Sequence, residues 1–322
     1  MTNILRIPLN LIRPFYEMTS IHKGVITELE DQTLQRAYSH CRAITREYAK
    51  TFYMATRFLP YSKQRSIFAI YGLCRYLDNL VDEAEDLTRR EYLSRLQVIE
   101  KLDEFTHKLI NVYRGAPSND PILIAFSHTL NYYNIPIELP LQLIDGVKMD
   151  LTKNRYETFD EVYDYSYKVA SVVGLMTSEV FGYSDPRALN YAVDLGIAMQ
   201  LTNILRDIGE DIDNNRIYLP NNEMNDFGIT EEMLMRKEMT PAFASFMKFQ
   251  IKRAHEYYER SDVGISMLSR DSRLPVALAR ENYSRILSKI EENEYNVFAE
   301  RAYLNSTEKF SILPKVYMQI RR

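Results

Sequence analysis

Apolar residues recur at three- and four-residue spacing through long stretches of this chain, the signature of amphipathic helices. No proline interrupts 61–116, 141–185, 187–219, 242–274 or 276–313. Glycine is scarce too, with 10 in 322 residues, so those stretches have few points at which to bend or stop. No convincing period-two strand is found, and no Asn-Gly or Asp-Gly hairpin joins two alternating runs. The pattern predicts an all-α fold of about ten or more helices. Start signals agree. Asp120-Pro121 and Asp185-Pro186 each set an N-cap acid before a proline at the first helical position, and Thr158 with Glu161 suits a capping box. Polar breaks at 114–119, 134–136, 182–186 and 220–229 predict short loops, none long enough for a flexible linker. The expected organisation is an N-terminal arm, 1–30, followed by one domain, 31–322. Arg6, Arg13 and Lys23 against Glu17, with Pro8 and Pro14 preventing a continuous helix, make the arm a disordered or surface-packed segment or a transient membrane-surface contact.

Composition narrows the function classes. Hydrophobic residues make up 46%, enough for a sizeable core, which excludes intrinsic disorder. Lys+Arg 40 against Asp+Glu 44 gives a net charge of −4, so nucleic acid is not an expected partner. Cys41 and Cys74 are the only cysteines, which excludes a disulfide scaffold and a cysteine-rich zinc site and suits reduced core thiols of a cytoplasmic protein. No apolar run approaches the roughly 18–20 residues of a membrane-spanning helix, and the N-terminus lacks a signal-peptide core.

Two segments carry the chemistry. In the first, Tyr71, Arg75, Asp78 and Asp82 fall within an arc of about 60° on a helix, beside Ile67, Ile70, Cys74, Leu77 and Val81. In the second, Gln200, Asn203, Asp207 and Asp211 fall within about 80°, flanked by Val193, Ile197, Leu201, Ile204 and Ile208. Aspartates four apart repel each other, and more so at the edge of a core. Oxygen ligands without His or Cys suit a hard cation, Mg²⁺ or Mn²⁺, that completes its shell with substrate phosphates. Arg75 and Arg206 stand near enough to meet such phosphates with paired donors. Two such stripes imply metal ions clamping a diphosphate, and the apolar residues beside them imply a hydrocarbon tail. On this reading Asp82→Asn or Asp207→Asn abolishes turnover while relieving repulsion, so stability holds or rises slightly. Other constellations fail: the five histidines are scattered, Glu104-x-x-His107 stands alone, and no Gly-rich phosphate loop, dinucleotide fingerprint or nucleophile elbow is present.

Residues Tyr48 to Pro60 (YAKTFYMATRFLP), Ala69 to Glu83 (AIYGLCRYLDNLVDE) and Gln200 to Pro220, ending in Arg216-Ile-Tyr-Leu-Pro, resemble the squalene/phytoene synthase family. The likeness spans roughly 40–310 and implies a single-domain isoprenoid-synthase bundle with a central apolar cavity. It also implies magnesium at Asp78, Asp82, Asn203, Asp207 and Asp211. Substrate contacts are implied for Tyr48, Ala49, Lys50, Thr51, Tyr71, Arg75, Gln200, Arg206, Tyr283 and Arg301. Tyr165, with Tyr163 and Tyr167 close in register, matches a tyrosine linked to proton transfer. Where family members often carry His-Ser or Ser-Ser, this chain has Tyr48-Ala49.

The implied reaction joins two prenyl diphosphates through a cyclopropyl diphosphate, two geranylgeranyl diphosphates giving phytoene. Farnesyl diphosphate would give dehydrosqualene instead, or squalene with NADPH, the only product that calls for that reductant. A class I terpene cyclase suits the second motif equally, but the first motif reads Asp-Asn-Leu-Val-Asp and not an Asp-Asp pair, and the Arg-Ile-Tyr-Leu-Pro ending is against a cyclase. A non-enzymatic helical assembly factor would tend to lose acids that are kept here. Val169, Val173, Gly174 and Gly196 are small residues near the site, and small residues leaving room for a tail favour the C20 substrate over the C15 one.

Overall fold

The computed structural model describes residues 24–88 and 95–320, and the side chains of residues 82–88 and 306 are outside that description. Helices dominate. The first half holds α1 (Gly24–Thr27), α2 (Gln32–Tyr48), α3 (Lys50–Thr56), α4 (Tyr61–Thr88), α5 (Arg95–Tyr113), α6 (Pro121–Leu130) and α7 (Glu138–Thr152). After a short strand β1 (Arg155–Tyr156) come α8 (Phe159–Ser166), a π turn (Tyr167–Ser171), α9 (Val172–Phe181) and α10 (Ala188–Asp213). Strand β2 (Ile217–Pro220) leads to α11 (Asn221–Asp226), α12 (Glu231–Met235), α13 (Pro241–Ile265), α14 (Arg270–Glu292), α15 (Ser306–Ser311) and α16 (Leu313–Gln319).

Local chemistry explains where many of these begin. Asp31 caps α2 by accepting from Thr33 N at 2.6 Å, and Asp120 caps α6 from Ile122 N at 2.8 Å, with Pro121 at the first helical position. Thr158 accepts from Glu161 N at 3.4 Å, but the Glu161 carboxylate takes the Glu157 N–H, so only half of the expected box forms. Asp185 accepts from Arg187 N at 2.9 Å and makes a turn, and α10 starts two residues later than expected. Pro275 does not end a helix; it sits inside α14, where it has no N–H to give the Asp271 carbonyl.

The absence of strands is corrected by one small ladder. β1 and β2 pair in parallel, Arg155 with Ile217 and Tyr156 with Pro220. Strands of two and four residues are too short for alternation to show, and all four β2 residues are buried. The segment 220–229 is likewise not all loop, since α11 lies within it. Of the arm, residues 1–23 lie outside the described residues; from Gly24 it is packed, with Val25 and Ile26 buried and Arg65 donating to Val25 O at 2.7 Å.

The core has two main bodies. One gathers about α4, whose Ile67, Phe68, Ile70, Leu73 and Leu77 are fully covered by helices including α2 and α6. The other gathers about α10, whose Ile197, Leu201, Ile204 and Ile208 pack against a set that includes Phe243, Phe246 and Tyr258 of α13. Each such side chain contributes about 1.5–3 kcal/mol, and truncating Leu73 to Ala costs about 2–5 kcal/mol because the surrounding helices cannot close the gap. α4 and α10 thus each bury one face and turn the adjoining face toward a cavity between the two bodies. No described helix is long and apolar enough to cross a membrane.

Candidate active site

Two connected chambers occupy that space. The larger, about 450 Å³, is an apolar channel walled by α3, α4, α9, α10, α13 and α14. Thr177, Ser178 and Ser261 reach it, yet each spends its hydroxyl on a carbonyl of its own helix: Gly174 O at 3.0 and 2.8 Å, Tyr258 O at 2.7 Å. Away from the acids the wall therefore offers mostly carbon to a ligand. The smaller chamber, about 240 Å³, is polar and brings Arg75 and Asp78 of α4 opposite Gln200, Asn203, Asp207 and Asp211 of α10. Asp78, Asp150, Tyr165, Gln200 and Asn203 line both chambers, so the channel opens at the acids.

The two acidic helices supply different surroundings. Asp207 is clamped by two arginines. Arg206 donates Nε and Nη2 to it at 2.7 and 2.5 Å, and Arg301 does the same at 2.7 and 3.1 Å. Burial works to raise its pKa, but the hydrogen bonds from Arg206 and Arg301 outweigh it and hold the carboxyl below its ordinary range. Asp211, one turn on, is pushed up to about 7 by burial and by the charge of Asp207. On α4, Asp78 is exposed, and the Arg75 guanidinium lies 4.4 Å from the centre of the Tyr48 ring. The Asp82 side chain lies outside the described residues.

Among the described residues no three His, Cys, Asp or Glu side chains make a closed metal cage. The donor set still fits a hard divalent ion. It is all oxygen, it faces one chamber from two helices, and Asp211 shows carboxylate in excess of what the local arginines neutralise. An ion with few protein ligands keeps positions for water or phosphate.

The other candidates divide. Tyr48, Ala49, Tyr71 and Tyr283 line the channel, and burial followed by Tyr283 raises the Tyr71 pKa. Lys50 and Thr51 line neither chamber; Lys50 is exposed and, after burial, is the next cause lowering the pKa of Lys309, a basic neighbour that sequence reasoning missed. Arg206 and Arg301 also line neither and face Asp207. Of the three tyrosines in register, Tyr165 is the buried one, while Tyr163 and Tyr167 are half-buried. Its hydroxyl donates to Asp150 Oδ2 at 3.2 Å, and Tyr218 of β2 donates to Asp150 Oδ1 at 2.8 Å. Burial, followed by Asp150, holds the Tyr165 hydroxyl protonated well above its ordinary pKa. Asp150 was not picked out from the sequence, and Arg216 and Tyr218 were read only as part of the Arg216-Ile-Tyr-Leu-Pro ending, with no role in the site. Asp150 had a signal, a carboxylate three residues after buried Val147 on the apolar stripe of α7.

The small residues do not simply leave room. A Cβ on Gly174 would lie 3.0 Å from the Ala192 carbonyl oxygen, and one on Gly196 would lie 2.5 Å from Ser171 Cα. Both glycines let neighbouring helices touch, so the channel's width does not follow from their size.

A family model described as squalene/phytoene synthase matches residues 45–308. The chain is 39% identical over 302 residues to a phytoene synthase of Arthrospira platensis, covering 90% of this chain and 95% of that one. It is 39% identical over 294 residues to a 15-cis-phytoene synthase of Synechococcus elongatus, covering 88% and 92%. A crystal structure of a dehydrosqualene synthase in complex with ligand superposes with a TM-score of 0.82 at 28% identity, over 90% of this chain and 98% of that one. With its motifs facing one chamber and its length matched nearly end to end, the chain belongs to the squalene/phytoene synthase family.

Proposed function

We propose that the protein is a prenyltransferase joining two molecules of geranylgeranyl diphosphate head to head to give phytoene, by way of a cyclopropyl diphosphate. The junction carries this reading: a channel with a carbon wall opens at two facing rows of acids, the shape required by a diphosphate with a long hydrocarbon tail. Identity of 39% to proteins named phytoene synthase supports the C20 substrate and a product that needs no NADPH.

Asp78, Asn203, Asp207 and Asp211, with Asp82 one turn along α4, would hold Mg²⁺ or Mn²⁺, which when bound neutralises charge on the departing diphosphate. Arg75 faces the same chamber and would donate to that diphosphate as the donor's C–O bond breaks and its electron pair leaves with oxygen. Arg206 and Arg301 take the same role once phosphate replaces Asp207 as their acceptor. The acceptor's double bond then attacks the allylic cation, and loss of a proton closes the cyclopropane. Tyr165 stands at the junction with its own proton held by Asp150. It takes a substrate proton only by passing its own to that carboxylate, which leaves the phenol neutral. In the second half-reaction the cyclopropyl diphosphate ionises, the ring rearranges, and a last proton loss gives the triene centre of phytoene. The carbon walls keep water from the cations. A cytoplasmic location with transient membrane-surface contact through the arm completes the reading.

Incubation with Mg²⁺ and geranylgeranyl or farnesyl diphosphate, with and without NADPH, tests it. Phytoene without reductant is the expected product. Squalene formed only with NADPH, or a cyclic product from one substrate molecule, overturns it.

A further inference from the structure

The wall that carries Tyr165 is not a plain α-helix. Between α8 and α9 the chain winds one π turn, Tyr167–Ser171, after which Val172 N–H donates back to Tyr167 O. Tyr165, Val169, Val173, Thr177 and Phe181 all line the channel, each four residues from the last. At α-helical pitch that series drifts by roughly 160° from first to last, which would turn one end away from the cavity. Winding five residues more loosely takes back about half of the drift.

The loose turn is held from two sides. On α7, a Cβ at Gly146 would lie 2.7 Å from Lys168 Cβ and 2.9 Å from Val169 Cγ1. On α10, a Cβ at Gly196 would lie 2.5 Å from Ser171 Cα and 2.7 Å from Ser171 N. Ser171 also donates to Val193 O at 2.9 Å, tying the turn to α10. Gly146 itself lines neither chamber.

We infer that the π turn is the register device of this site, setting the Tyr165 hydroxyl on the same wall as the residues that hold the tail, and that Gly146 and Gly196 are the positioning residues that keep it wound. This rests on the proposed function, because Tyr165 must face a tail-bearing substrate for its register to matter.

The test is a double-mutant cycle. Turnover of radiolabelled geranylgeranyl diphosphate is measured for wild type, Gly146→Ala, Tyr165→Phe and the double variant, at enzyme concentrations high enough to follow losses of roughly 10⁴-fold. Gly146→Ala is expected to keep its helix content and its KM within about twofold while kcat falls about tenfold or more. In the Tyr165→Phe background the same substitution should add less than about twofold, since the hydroxyl it misplaces is already gone. Equal losses in both backgrounds, or no loss of kcat in Gly146→Ala, overturn the inference and leave a packing role. If Gly146→Ala does not fold, Ser171→Ala, which removes only the tie to Val193 O, enters the same cycle under the same criteria. A wild type that makes no coupled product sinks the proposed function instead.

Discussion

The two acidic helices share the spacing Asp-x-x-x-Asp and differ in almost everything around it. On α4, Asp78 is exposed and the nearby Arg75 lays its guanidinium over the Tyr48 ring, 4.4 Å from its centre. On α10, Asp207 is 17% exposed and two guanidiniums grip it, while Asp211 next to it carries the strain of burial beside a like charge. One spacing thus holds different reserves: α4 offers an exposed carboxylate, and α10 offers one already neutralised and one under repulsion. Spacing on one helix sets which carboxylates are neighbours, but the helices packed against it set what each carboxylate costs.

The strongest way to break that comparison is Asp207→Asn. Turnover should fall by about 10²–10³-fold or more. Stability of the metal-free protein should also fall, by about 1–3 kcal/mol, because Arg206 and Arg301 lose an ionised acceptor. This reverses the slight gain that repulsion alone predicts, and thermal denaturation in chelator reads the sign directly.

Asp211→Asn should lose comparable activity with the opposite stability effect. Its folded pKa, about 7, lies above the ordinary 3.8, so the folded state binds the proton more tightly and this group destabilises the metal-free fold increasingly as pH rises from about 4 to 7. The variant should therefore be more stable than wild type by about 1–2 kcal/mol at pH 8, with the gain shrinking toward pH 5. A gain that is the same at both pH values would show that burial and repulsion at Asp211 are not its source.

Asp78→Asn sharpens the contrast. Exposed as it is, it should change stability by no more than about 0.5 kcal/mol while turnover still collapses. A stability loss as large as that of Asp207→Asn would erase the difference between the two helices.

The smallest effect concerns tail length. Gly174→Leu probes channel width, yet its new side chain would start against the Ala192 carbonyl. It should cost about 1–3 kcal/mol of overpacking, and shift the kcat/KM ratio for C20 over C15 substrate by less than its loss in both. A large selective loss of the C20 substrate would show that Gly174 does face the tail.

Residues that share a face of one helix were legible without the fold. Arg75 with Asp78, and Gln200, Asn203, Asp207 and Asp211 with one another, share a face because helical geometry is local. Asp150, Tyr165 and Tyr218 were not legible as a unit. They meet only after α7, α8 and β2 converge, and β2 is held by pairing with a two-residue strand that no alternation betrays. The clamp on Asp207 was not legible for a related reason: adjacency of Arg206 to Asp207 was plain, but only Arg301, arriving from beyond α14, completes it.

What the amino-acid order alone determined is the all-helical character, the capped start of α6, and the presence of two acidic faces that each border an apolar stripe. These follow from backbone propensity and periodicity over a few turns. Tertiary structure decided that the two faces share one chamber, which acid is neutralised and which is strained, and that the wall between tyrosine and tail unwinds into a π turn. Those outcomes depend on distances between segments far apart in the chain, and on desolvation that no side chain experiences until the helices close around it.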